Sequence, residues 1–291
     1  MLTRRSALAL SFAALLTPAK GEAQKIPVVA SFSIIGDFVR EVGGDRVSVA
    51  TIVGPDGDAH VYQPSPADGR SIAQARLIFV NGLGFEGWLD RLVAAAKSKG
   101  EVFTLGKGVK ARKDEEGQDP HAWQDVANAK VYVEEIREAL TAVDPEGAPT
   151  YKANADVYLA KLDALDAEIQ QAIAAIPQER RRVVSTHDAF AYFAARYGVE
   201  FLAPQGVSTE ADVSARDVAK IIDAVRANKV RAVFIENIAD PRLARRIASE
   251  TGASVGGVLY SDALSNAKGD GATYIDMMRH NVRELTKALA R

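Results

Sequence analysis

Near the middle of the chain one helical pattern runs unbroken from residue 151 to residue 177. Tyr151, Ala155, Tyr158, Leu162, Leu165, Ile169, Ile173 and Ile176 recur every three or four positions, the repeat of a helix with one face turned to a core. The pattern begins after Pro149 and stops at Pro177. At 1.5 Å per residue such a helix is about 40 Å long, so the segments on either side of it are joined by a stiff rod. The chain has 291 residues, more than a single hydrophobic core usually serves. The expected organisation is a first lobe over residues 24–148, a linker helix over 149–178 and a second lobe over 179–291.

Both flanks alternate strand-like runs with amphipathic helices, which predicts two α/β lobes with mostly parallel sheets. In the first half the strand-like runs are 26–32, 47–53, 76–82 and 101–105, with helical patterns at 34–44, 65–75 and 86–100. In the second half the strands are expected at 181–186, 199–204, 231–237 and 253–261. The helices between them, 188–198, 214–229 and 240–252, each end in Gly or an Asn-Lys pair, as helix stops do.

Residues 1–23 are set apart from this pattern. Arg4 and Arg5 precede an apolar run at 6–16, and Gly21-Glu22-Ala23 offers small residues at a cleavage site. That is an export signal, with cleavage expected near residue 23; the apolar run is too short to span a bilayer. The arginine pair leaves Sec and twin-arginine export both open. A formal net charge of −2 gives no reason to expect nucleic acid or an anionic membrane as partner, and a monomer is expected. The chain has no cysteine, so no lipid anchor can be attached through one. Any metal site must therefore be made of His, Asp and Glu.

Two motif matches lead nowhere. Gly82-Leu83-Gly84-Phe85-Glu86-Gly87 has the spacing of a dinucleotide-binding turn, but the following strand lacks an acidic residue at its end to hold a ribose. Gly252-Ala253-Ser254-Val255-Gly256 has the spacing of a nucleophile elbow. It runs from a helix end into a strand, the reverse of what that elbow requires.

The four histidines are more informative. His60 lies in the loop GPDGDAHVYQPSP after a strand, His121 in Asp119-Pro120-His121-Ala122-Trp123, and His187 directly after the strand at 181–186. Asp262, after the strand at 253–261, occupies the same kind of place. Ligands of open α/β sheets collect at those strand ends. Three neutral imidazoles and a carboxylate complete a tetrahedron around a borderline divalent cation. His280, on the last helix, reads as structural.

At this point the chain resembles the metal-specific solute-binding receptors of zinc and manganese ABC transporters. The resemblance rests on the segments ASFSIIGDFVREVGGD, GPDGDAHVYQPSPAD, LIFVNGLGFEGWLD, DPHAWQD, VVSTHDAFAYFAARYG, ENIADPRLARRIASETG and LYSDALS, which occur in this order over essentially the whole mature chain. It implies two α/β lobes joined by one rigid helix, with the metal in the cleft between them. The implied metal ligands are His60, His121, His187 and Asp262. It further implies a periplasmic location and a membrane permease as partner. Histidine at the third ligand position goes with zinc in such receptors and glutamate with manganese or iron, so Zn2+ is the expected ion and Mn2+ the alternative. One departure stands out: many zinc receptors carry a histidine-rich loop before the second ligand, and ARKDEEGQDP has no histidine. A metallohydrolase would instead keep a coordination position open for water beside a general base. Four protein ligands leave no such position and no H-E-x-x-H motif is present, so no enzymatic activity is expected.

Overall fold

The computed structural model describes residues 25–113 and 117–290. The expected export signal at 1–23 lies outside the described residues, as does part of the charged loop at 111–120. The first sheet consists of β1 (Ile26–Phe32), β2 (Val47–Val53), β3 (Leu77–Val80) and β4 (Glu101–Thr104), all parallel and in the order β2-β1-β3-β4. The second consists of β5 (Arg182–Val184), β6 (Glu200–Leu202), β7 (Ala232–Glu236) and β8 (Ser254–Leu259), again parallel and in the order β6-β5-β7-β8. Both sheets therefore reverse their winding, between β1 and β3 and between β5 and β7. The crevice at such a reversal, beyond the strands' carboxyl ends, is where open sheets bind ligands.

Every expected strand is present, β1 and β2 over their full expected length and the other six trimmed at one or both ends. The helices are α1 (Ser33–Gly43), α2 (Pro66–Gln74), α3 (Leu89–Ala96), α4 (Val126–Val143), α5 (Ala148–Ala174), α6 (Ala191–Tyr197), α7 (Ala215–Ala227), α8 (Pro241–Thr251) and α9 (Tyr274–Leu289). The expected helix at 86–100 starts only at Leu89 because Glu86 has another task. Its half-buried carboxylate accepts from the N–H groups of Asn81 (2.7 Å) and Gly82 (3.0 Å) and from the Ser31 hydroxyl (2.6 Å), which keeps the preceding residues in a turn. α5 starts one residue before Pro149, since proline in a first helical turn has no N–H bond to lose.

The face of α5 expected to be apolar is the face that is buried, from Tyr151 to Ile173. It packs on α1, α4 and α9, so one apolar cluster runs from Val28 in the first sheet through α5 to Leu289 at the end of α9. A smaller cluster lies under α7 and α8. No helix among the described residues is long and apolar enough to cross a membrane.

Asp37 on α1 ties the lobes together where α1, α5 and α9 meet. Its buried Oδ2 accepts from the N–H of Tyr274 (2.9 Å), the first residue of α9. Burial pushes this carboxyl up to about 6, against the pull of the Tyr274 N–H and the Arg40 charge. A carboxyl whose folded value is raised stabilises the fold below its unfolded value near 4, and that contribution is lost as pH rises through about 6. Asp37→Asn keeps an acceptor for Tyr274 and removes the charge. Relative to wild type, the variant is expected to gain on the order of 1–3 kcal/mol between pH 4 and pH 7. Urea unfolding of both metal-free proteins at the two pH values measures the difference; an equal gap at both would contradict the assignment.

Candidate metal centre

The four residues singled out at strand ends converge in the cleft between the lobes. His60 follows β2, His121 follows β4, His187 follows β5 and Asp262 follows β8, and one donor atom from each lies within 4.8 Å of all the others. His121 and Asp262 are fully buried, His187 is 1% exposed and His60 5%.

Each loop is pinned by side chains that take no part in the cluster. The Trp88 indole N–H donates to the Ala59 carbonyl (2.8 Å) and the His60 N–H to Asp58 Oδ1 (2.9 Å). The His60 ring meets Phe85 edge-on, with centroids 4.7 Å apart. For His121, the Asn81 amide donates to the Pro120 carbonyl (2.9 Å) and the Tyr192 hydroxyl to the Asp119 carbonyl (3.0 Å). Asn81 is itself held by the Tyr132 hydroxyl, which donates to Oδ1 at 2.6 Å. The glycine-rich turn after β3 thus supports His121. Gly82 has φ +76°, and a Cβ there would strike Thr104, which is why glycine stands in it. On the other lobe, Glu236 Oε1 accepts from the N–H of Thr186 (2.7 Å), the Thr186 hydroxyl (2.6 Å) and the N–H of His187 (2.9 Å). Asp262 is placed from across the cleft. The Trp123 indole and the Gln124 amide, both in the first lobe, donate to the Ser261 carbonyl at 2.9 and 2.7 Å.

Within the cluster, all three imidazoles present Nε2. His60 Nε2 lies 3.4 Å from His121 Nε2. The Asp262 oxygens lie 3.4 Å from His60, 3.5 Å from His121 and 3.2 Å from His187. Behind the rings stand two carboxylates: Asp119 Oδ1 is 2.8 Å from His121 Nδ1, and Glu236 Oε2 is 2.6 Å from His187 Nδ1. A carboxylate behind an imidazole fixes the tautomer that turns Nε2 towards a metal and strengthens it as a donor.

Burial alone would lower the His121 imidazole; the carboxylates of Asp262 and Asp119 outweigh it and push His121 up to about 9. Burial likewise works against a charged His187, and Glu236 and Asp262 raise it well above the usual histidine range. Burial would raise Asp262, but His187 and His121 hold it well below the usual carboxylate range. Glu236 is lowered against its own burial by His187 and by its hydrogen bonds to Thr186 and His187. Neither carboxylate oxygen of Asp262 has a well-formed hydrogen bond among the described residues. A buried carboxylate in that position calls for a cation.

Sequence reasoning located the four central residues but gave no role to Asp119 or Glu236. Asp119 sits two positions before His121, a visible signal. Glu236 reaches His187 from 49 residues downstream, and its only sequence mark is its place at the end of β7. His280 lies outside the site: its Nε2–H donates to the Val258 carbonyl at 2.8 Å, a structural bond as expected. Ser254 is the first residue of β8 and forms no elbow.

Comparison with known proteins agrees with this architecture. Over 277 residues the chain is 37% identical to the manganese-binding lipoprotein MntA of Halalkalibacterium halodurans, covering 94% of this chain and 91% of that protein. It is 36% identical over 270 residues to the iron-binding protein YfeA of Yersinia pestis, covering 91% of this chain and 86% of the relative. Among solved structures, the periplasmic zinc binding protein TroA of Treponema pallidum superposes with a TM-score of 0.89 at 30% identity, covering 92% of this chain and all of that one. The profile of ZnuA, described as zinc-uptake complex component A periplasmic, matches residues 28–288. With both lobes and the connecting helix inside that match, the chain belongs to this family: it is a metal-binding receptor of an ABC transporter, not an enzyme.

Proposed function

We propose that the receptor captures zinc in the periplasm, binds it through His60, His121, His187 and Asp262, and delivers it to the membrane permease of its importer. The observation that carries this reading is the convergence of three buried Nε2 atoms on one buried carboxylate, two of the rings being backed by Asp119 and Glu236. Three nitrogens and one oxygen suit zinc in tetrahedral coordination, whereas manganese favours sites richer in oxygen. The second reading is a manganese or iron receptor with the same four ligands. The relatives and neighbours are named for manganese, iron and zinc alike; the donor set of this chain favours zinc. Although several relatives are named lipoproteins, this sequence contains no cysteine, which supports a receptor not tethered by a cysteine-linked lipid. The division into lobes at 24–148 and 179–291 belongs to the same proposal. Metal analysis of protein purified from its own periplasm without added metal tests the reading: zinc at one ion per chain is expected, and manganese or iron in its place would reject zinc.

Replacing the third ligand tests the role of its nitrogen. His187→Glu exchanges an imidazole for a harder oxygen donor and sets a second carboxylate beside Glu236. The ratio of zinc to manganese affinity is expected to move towards manganese by on the order of tenfold or more. Competition titrations of variant and wild type measure it, and an unchanged ratio would refute a ligand role for His187.

The pH dependence follows from the raised imidazoles. With His121 lifted to about 9 and His187 well above its usual range, both hold protons at neutral pH in the metal-free protein. Zinc must displace these protons, each costing about tenfold in apparent affinity per pH unit. Raising the pH removes the competitor, so log affinity should climb with a slope near two between about pH 6.5 and 8.5. A zinc titration against a chelator corrected for its own protonation reads the slope. An affinity flat from pH 7 to 8.5 would contradict the picture.

A further inference from the structure

The loop from Gly54 to His60 crosses the cleft through contacts that none of the four metal-facing side chains makes. Asp58 divides its carboxylate between the lobes. Its Oδ1 accepts from the His60 N–H at 2.9 Å, and its Oδ2 accepts from the Thr209 hydroxyl at 2.7 Å, 151 residues away. Two positions earlier, the Asp56 N–H donates to the Leu264 carbonyl at 2.9 Å, and Asp56 Oδ1 accepts from the Asn237 amide at 3.0 Å. Asp56 holds φ +56°, a left-handed backbone that aspartate adopts more readily than most residues.

The far-side partners are not scattered. Asn237 adjoins Glu236, the carboxylate behind His187, and Leu264 stands two residues beyond Asp262. Thr209 lies in the segment after β6. His60 is the least buried of the four cluster residues, and Val61 beside it is 47% exposed. On its own lobe the loop is held by the buried Trp88 bond to Ala59, whereas Asp58, Thr209 and Asn237 are half-buried. Half-solvated bonds open more readily than buried ones, so parting of the loop from the second lobe begins at this row.

We propose that the Asp58–Thr209 hydrogen bond is a latch that holds His60 against the ion and sets how long the cargo stays bound, with Asp58 and Thr209 as positioning residues. This rests on the reading of His60 as a ligand. One carboxylate grips the backbone of the ligand with one oxygen and the opposite lobe with the other. Loss of the Thr209 hydroxyl frees the loop while leaving all four donors in place. The effect falls chiefly on release, because the latch must part before His60 can leave the ion.

The test is the rate of zinc release from the full mature protein into excess chelator, followed by stopped flow. Thr209→Val removes the hydroxyl at nearly constant shape and is expected to speed release about five- to tenfold, with association changed less than about twofold. Thr209→Ser keeps the hydroxyl and should release like wild type. In an Asp58→Ala background, which is itself fast, Thr209→Val should add nothing if the two groups act on each other. Wild-type release from Thr209→Val, release from Thr209→Ser as fast as from the valine variant, or a full further acceleration in the Asp58→Ala background would each overturn the latch. Equilibrium zinc affinity of His60→Ala separates the two levels. If it equals wild type, the ligand reading fails. If it falls while Thr209→Val releases normally, only the latch fails.

Discussion

A carboxylate with no exposure, ringed by imidazoles that have almost none, is the constraint on which the rest of this molecule depends. Asp262 could not stay ionised in such a place without positive charge beside it, since an uncompensated buried ion costs several kcal/mol. The compensation comes from groups carried on both lobes: His121 from one, His187 from the other. Neither lobe alone can assemble the cluster. The carboxyl ends of the two sheets must therefore face each other at close range, and much of the surrounding structure serves to keep them there.

How closely they are kept is visible in the bonds that cross the cleft floor. The Tyr274 N–H reaches Asp37 and its hydroxyl reaches the Trp123 carbonyl at 2.7 Å; the Ser33 hydroxyl accepts from the Leu264 N–H at 2.9 Å. All are buried, and α5 packs into the same apolar cluster as α1, α4 and α9. A rotation of whole lobes would break these bonds together and expose part of a continuous core. Parting of the Gly54–Asp58 stretch from the second lobe breaks few bonds, and the side-chain ones, Asp58–Thr209 and Asp56–Asn237, are half-solvated. The cheaper motion is local, and it lies on the side of the cluster nearest to solvent.

Much of this was legible in the sequence for a plain reason. Strands of a parallel sheet covered on both faces read as unbroken apolar runs: Leu77–Val80 is buried at every position, and Tyr151 to Ile173 kept strict helical spacing. The strand-end positions of His60, His121, His187 and Asp262 are visible too, and the family resemblance implies the same four residues. What stayed hidden were the pairings between distant segments. Nothing near Glu236 shows that its carboxylate holds Thr186 and His187. Nothing near Asn81 shows that it carries Pro120 while leaning on Tyr132. The late start of α3 has the same origin: Glu86 is a sound helix former by propensity, but its contact with Ser31 overrides that preference.

The charges of the site also bear on how a receptor can both hold an ion and give it up. Asp262 and Glu236 are lowered and stay ionised, while His121 and His187 are raised and take up protons when no cation is near. On the proposed reading, loading exchanges one doubly charged ion for two protons, so the net buried charge of the cleft is the same in both states. The carboxylates that make the rings better donors raise their affinity for protons by the same mechanism. In a site built this way protons compete with the cation, and the competitor that reoccupies it on release is always at hand.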